Sequence, residues 1–207
     1  MWRSLQVTAS ALLISAAVGV PAGTWLALTR FPGQRLLNAL IYTGMGLPPV
    51  VVGLVVYLVL SNSGPLGDLG WLFTIKAMVV AQAIIATPLV VGVTMSSVRA
   101  IDPALRVQLR ALGATRWQAT AAALVEARFG VIVGLVAGFG SIISEVGAVM
   151  LVGGNIDGRT RVLTTAVVLE TRRGNFDVAL ALGIILLALS FAANLIMVLG
   201  QGKLAES

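Results

Sequence analysis

One carboxylate, Glu145, stands deep in an apolar run, and any chemistry in this chain has to be considered there first. A charge in hydrocarbon is expensive, so a membrane-embedded acid marks either a gate or pathway position or a structural partner for a donor on a neighbouring helix. Both readings stay open. The groups at hand around it are hydroxyls and amides: Ser141, Ser144, Asn155, Thr164 and Thr165. The chain has no cysteine and no histidine. Thiolate and imidazole metal sites, Ser-His or Cys-His catalysis and histidine proton relays are therefore excluded. No paired acids converge either, so the residues offer recognition and movement rather than bond-making.

The elements that must position these groups are membrane spans. Of 207 residues, 58% are hydrophobic and 11% charged, with a mean hydropathy of +0.99. A soluble domain carries about a quarter of charged residues, so this is an integral membrane protein. The net charge of +6 is assigned to loops flanking the spans rather than to a nucleic-acid partner. Five runs are long enough to cross about 30 Å of hydrocarbon: residues 7–28, 36–60, 71–98, 129–152 and 178–199. No cleavable signal peptide is expected, because the run after Arg3 is too long for one.

Each span carries a mark. Gly19, Pro21 and Gly23 predict that the first kinks or ends irregularly. Pro48-Pro49 cannot continue a regular helix in the second, which leaves two readings: a plain kink, or a break that lines a pathway. Thr87-Pro88 predicts a kink in the third, where Lys76 can snorkel to the interface. In the fourth, Gly130, Gly134 and Gly138 share a face with Ser141 and Glu145, and small residues at that spacing predict close packing within the subunit or across a dimer. Residues 61–70 read as an outside loop. In residues 153–177 the apolar piece 162–169 is too short to cross, so it is expected to be re-entrant or interfacial; Arg159, Arg161, Arg172 and Arg173 surround it.

Residues 101–128 form the one long polar helical stretch. Asp102-Pro103 is a good start, since Asp caps free N–H groups and Pro fits the first helical position. Leu105, Leu109 and Leu112 recur on one face, with Arg106 and Arg110 a turn apart. Gly113 closes that helix in a left-handed conformation. Thr115 caps a second helix carrying Trp117, expected to run through Arg128 straight into the fourth span as a lever. Placing this stretch in the cytoplasm puts Arg30, Arg35, Arg99, Arg106, Arg110, Arg116, Arg128 and Lys203 inside, against Arg3, Lys76, Arg159, Arg161, Arg172 and Arg173 outside. That arrangement has the sign basic residues demand, with the N-terminus outside and the C-terminus cytoplasmic. The outer arginines suit an anionic substrate, an acidic docking partner or lipid phosphates alike.

Residues 101–128 resemble the cytoplasmic coupling loop of the permease subunits of type I ABC importers, through Gly113-Ala114-Thr115-Arg116-Trp117. Val107-Gln108-Leu109 stands where that family has Glu-Ala-Ala, and Val125-Glu126 where it has Leu-Pro. The stretches LPPVVVGLVVYLVLSNSGPLG (47–67), AMVVAQ (77–82), EARFG (126–130), SEVGAVMLVGGNI (144–156) and TRVLTTAVVLETRRGNFDVALALGIILL (160–187) are similar to the tungstate-type permease, whose relatives carry molybdate and sulfate. The resemblance implies an all-α integral membrane fold, a single domain over residues 1–207 with five transmembrane helices and a short coupling helix between spans 3 and 4. It implies a homodimer in a bacterial or archaeal plasma membrane, two copies of an ATPase subunit inside, and a solute-binding protein outside. ATP and Mg would belong to the ATPase, since this chain has no phosphate loop and needs no cofactor of its own.

On that resemblance Asp102, Gly113 and Ala114 shape the coupling helix. Leu105, Leu109 and Leu112 would be the buried face of its contact with the ATPase, and Arg106, Arg110, Arg116 and Trp117 its anchors. Pro48, Pro49, Ser141, Ser144, Asn155, Thr164 and Thr165 would line the pathway or gate. Glu145 would repel a dianion and so belongs to the gate's structure. The alternatives are a molybdate or sulfate permease, a permease for methionine or phosphate, or, from another class, an ion-coupled secondary transporter or a membrane scaffold.

Overall fold

The computed structural model describes residues 2–205 and is all helical, with no strand among the described residues. In chain order the helices are α1 (Trp2–Leu28), α2 (Gln34–Met45), α3 (Pro49–Leu60), α4 (Ile75–Arg99), α5 (Pro103–Ala111), α6 (Arg116–Glu126), α7 (Arg128–Ile143), α8 (Gly147–Gly153), α9 (Leu163–Arg172) and α10 (Phe176–Ala205), with one 3-10 turn at Gly67–Leu69. Three of them, α1, α4 and α10, are long and apolar enough to cross a membrane unbroken; counting each bent pair, α2–α3 and α6–α7, as one span raises the number to five.

The core is built around α4. Ala77, Met78, Ala81, Ala86, Val90 and Met95 are buried along it. Small residues bring its neighbours in: a Cβ on Gly23 would lie 2.7 Å from the Val91 carbonyl oxygen, and one on Gly19 would lie 2.8 Å from Val90 Cγ1. Ser15 Oγ donates to the Ala83 carbonyl at 3.2 Å, and Thr87 Oγ1 donates to the same carbonyl at 2.7 Å. Residues 15, 19 and 23 thus meet α4 in rising order, so α1 and α4 run parallel. Gly130, Gly134 and Gly138 meet Ser97, Val93 and Val90, so α7 runs antiparallel to both. The glycine stripe is therefore packed inside the subunit.

Prolines and glycines act differently from span to span. Gly19, Pro21 and Gly23 do not break the first helix, which stays continuous through Leu28; its glycines serve close approach to α4. Pro88 lies inside an uninterrupted α4. The second span turns by 102° between α2 and α3, where Pro48 caps and Pro49 opens α3. The run 129–152 is not one helix, because it stops at Ile143 and restarts at Gly147. Nor is α6 continuous with α7: they meet at Ala127 with a 64° bend. The expected straight lever is a jointed one.

Candidate functional site

On the face where α1 and α4 end, α5 and α6 form a self-capped pair. Asp102 Oδ1 accepts from the Ala104 N–H at 2.8 Å, and Pro103 occupies the first turn. Gly113 sits at φ +92°, a region an L side chain resists. The chain then re-enters helix through a capping box: Gln118 N–H donates to Thr115 Oγ1 at 3.3 Å, and Thr115 N–H donates to Gln118 Oε1 at 2.8 Å.

The leucine face divides. Leu112 is 85% exposed and stands with Val107 (69%) and Trp117 (84%), while Leu105 and Leu109 are half-buried. The most exposed apolar groups of the pair are thus Val107, Leu112 and Trp117, and Leu105 and Leu109 keep partial exposure. Val107 was missed because it occupies a departure from the family pattern. Arg110, Gly113 and Arg116 are exposed, with Arg106 and Ala114 half-buried.

Toward the other end of the bundle the two broken spans touch. A Cβ on Gly53 of α3 would lie 2.5 Å from Ala148 Cα of α8, and one on Gly147 would lie 2.6 Å from Val50 Cγ2. Glu145 sits in the α7–α8 break, half-buried, and its Oε1 accepts from the Ala148 N–H at 2.9 Å. The carboxylate thus satisfies a free N–H at the start of α8, a partner three residues further along the chain. Its backbone carbonyl accepts from Thr164 Oγ1 at 3.0 Å.

The predicted liners fare unequally. Ser144 and Pro48 are exposed, and Ser141, Pro49 and Asn155 are half-buried. Asn155 has φ +49° and a buried Oδ1 with no hydrogen bond. Thr165 is fully buried and its hydroxyl bonds Val162 N–H and carbonyl, each at 3.1 Å, so it holds the start of α9 and cannot line an opening. Thr164 is 5% exposed and is likewise spent on packing and on the Glu145 carbonyl.

Three fastening groups escaped the sequence reading. Gln82, in α4, donates Nε2 to the Ile142 carbonyl at 2.8 Å. Thr160 donates Oγ1 to the Gly153 carbonyl at 2.5 Å and accepts from the Ile156 N–H at 2.9 Å. Ser4 Oγ accepts from the Leu163 N–H at 2.9 Å, tying α1 to α9. A lone amide in an apolar helix was the available signal for Gln82.

An all-helical bundle with three unbroken spans, two bent ones and a capped polar helix pair at one face defines a multi-span membrane protein. Residues 19–204 match the family described as binding-protein-dependent transport system inner membrane component, and the chain belongs to that family. It is 45% identical over 196 residues to the probable anion ABC transporter permease protein of Haloferax volcanii, covering 92% of this chain and 84% of the relative. It is 39% identical to the tungstate uptake system permease protein TupB of Peptoclostridium acidaminophilum, covering 95% and 86%. The molybdenum transport system permease protein ModB of Escherichia coli is more distant, 32% identical with 93% and 88% covered. Among solved structures the fold is that of a chain of the inward-facing MetNI methionine ABC transporter, with a TM-score of 0.74 at 20% identity, covering 96% of this chain and 93% of that one.

Proposed function

We propose that this chain is the membrane-spanning subunit of an ATP-driven importer for a tetrahedral oxyanion, with tungstate as the first candidate and molybdate and sulfate behind it. The observation that carries the substrate reading is the nearly full-length similarity to a tungstate uptake permease, with the molybdenum permease further off. The chain works as a homodimer with two ATPase subunits, which supply ATP and Mg, and receives the anion from a solute-binding protein.

Val107 and Leu112 dock on the ATPase, because they are exposed apolar groups of α5 and the turn after it that do not line the cleft against α1. Closure of the ATPases moves that pair, and the motion enters the bundle through the Ala127 joint into α7. At the far end of α7 lies the break holding Glu145, beside the Pro48–Pro49 corner, so displacement of α7 shifts one broken span against the other. The face carrying α5 and α6 is cytoplasmic, which places the N-terminus outside, because α1 enters from the opposite side. Glu145, its oxygen committed to Ala148, shapes the gate and does not bind the anion.

The test is purification of the tagged chain from its native membrane, followed by tungstate uptake in proteoliposomes. Co-purification of a soluble ATPase, with ATP-dependent uptake in which tungstate outcompetes molybdate and sulfate, is the expected result. Uptake that persists without ATP and collapses with the membrane potential would establish the secondary transporter instead.

A further inference from the structure

We propose that the cleft between the C-terminal half of α1 and the α5–α6 pair binds one anionic phospholipid, its phosphate held by Arg106, Arg110 and Arg116. The cleft encloses about 740 Å³. Its lining includes apolar groups, Val20, Trp25 and Leu28 of α1 with Leu124 of α6, and the three arginines Arg106, Arg110 and Arg116.

The three guanidiniums make no ion pair among the described residues, and the Arg106 Nε is buried with no hydrogen-bond partner. A buried donor without an acceptor carries a desolvation penalty, and a phosphate oxygen relieves it in a geometry suited to guanidinium. No acid lines the cleft to compete with such a phosphate.

The lining decides between a lipid and a free ion. A small oxyanion needs only the arginines and would leave the apolar groups wet, whereas an acyl chain covers them. The level in the membrane agrees. Trp25 stacks on Phe31 with ring centroids 5.1 Å apart, and Trp25 and Trp117 both line the cleft; tryptophans collect where hydrocarbon meets headgroups. Basic pockets between membrane helices at that level suit anionic headgroups. A lipid seated there links α1, the fixed partner of α4, to the pair that moves, so its binding biases the position of α5 and α6.

The experiment uses the full chain with its co-purifying subunits in nanodiscs. Phosphatidylglycerol bearing a photoactivatable group at the end of one acyl chain is compared with phosphatidylcholine bearing the same group, and labelled peptides are mapped. Labelling by the phosphatidylglycerol probe is expected within residues 20–29 and 116–124, with much less from the phosphatidylcholine probe. The combined Arg106→Gln, Arg110→Gln and Arg116→Gln variant is expected to lose that labelling roughly tenfold or more, and Leu124→Trp to reduce it by filling the cleft. Equal labelling by the two probes, no labelling at these segments, or loss of labelling on adding inorganic phosphate would each overturn the proposal; the wild-type comparison decides even if the variants fail to fold.

Discussion

Gln82 and Ile142 are 60 residues apart in sequence and joined by a 2.8 Å hydrogen bond from the glutamine Nε2 to the isoleucine carbonyl. The Ile142 carbonyl lies in the last turn of α7, where the helix stops and the Glu145 N–H reaches it at 3.3 Å. In a low-dielectric interior an unpaired carbonyl is costly, so α4 supplies the second donor. The broken fourth span is stable because the central helix completes it.

Replacing Gln82 by Leu, of similar size, removes that donor. It also removes the glutamine's own buried Oε1, which has no partner, so the two changes partly offset. The expected net loss is about 1 kcal/mol, read as a modest fall in the thermal midpoint of the purified complex. Gln82→Ala adds a cavity and is expected to lose roughly 2–4 kcal/mol. Equal midpoints for both variants and wild type would remove Gln82 from the fastening role.

Thr160→Val keeps the volume and strips the hydroxyl from a residue 2% exposed. The Gly153 carbonyl and the Ile156 N–H both lose a partner. At about 1–3 kcal/mol for each orphaned group, the loop after α8 is expected to loosen, seen as faster amide hydrogen exchange over residues 153–162. Unchanged exchange there would contradict the role given to Thr160.

Gly113→Val forces a β-branched side chain into φ +92°, at a cost of roughly 1–2 kcal/mol. Nothing lies within 4 Å of the position a Cβ would take, so the strain is conformational and local to the α5–α6 joint. ATP hydrolysis by the assembled transporter is expected to continue while uptake falls. Full uptake in this variant would show that the joint does not transmit motion.

Glu145 separates two roles by two substitutions. Glu145→Gln keeps an oxygen for the Ala148 N–H and loses only the charge, so stability and uptake are expected to hold. Glu145→Ala loses the cap, at about 1 kcal/mol, and is expected to lower both. Lost uptake in the stable Gln variant would mean that the charge itself works in transport.

Glu170 is held below its ordinary pKa, first by the hydrogen bond from Asn175 Nδ2 at 2.7 Å and then by Arg173. A lowered carboxylate stabilises the fold above its ordinary pKa, and that contribution disappears as pH falls through the lowered value. Amide protection factors at the α9–α10 turn, taken relative to the intrinsic exchange rate at each pH, are therefore expected to fall on acidification in the wild type, and to be less pH-dependent in Glu170→Gln.

The sequence by itself determined the membrane class, the five apolar runs, the Asp102 and Thr115 caps and the glycine at 113, because each depends on local composition, hydrogen bonding or backbone conformation. Burial is set by partners far along the chain, and there the tertiary structure decided. Thr165 and Asn155 look alike as polar residues near the break, yet one is sealed within the first turn of α9 and the other keeps a partly exposed position. The leucines at 105, 109 and 112 share a helical face, but in the folded pair two of them are half-buried while Leu112 is exposed, as is Val107. The bends at Ala127 and across residues 46–48 also belong to the tertiary level: a proline or a glycine permits a turn, and only the helices packed on either side, α4 and α8 above all, set its angle.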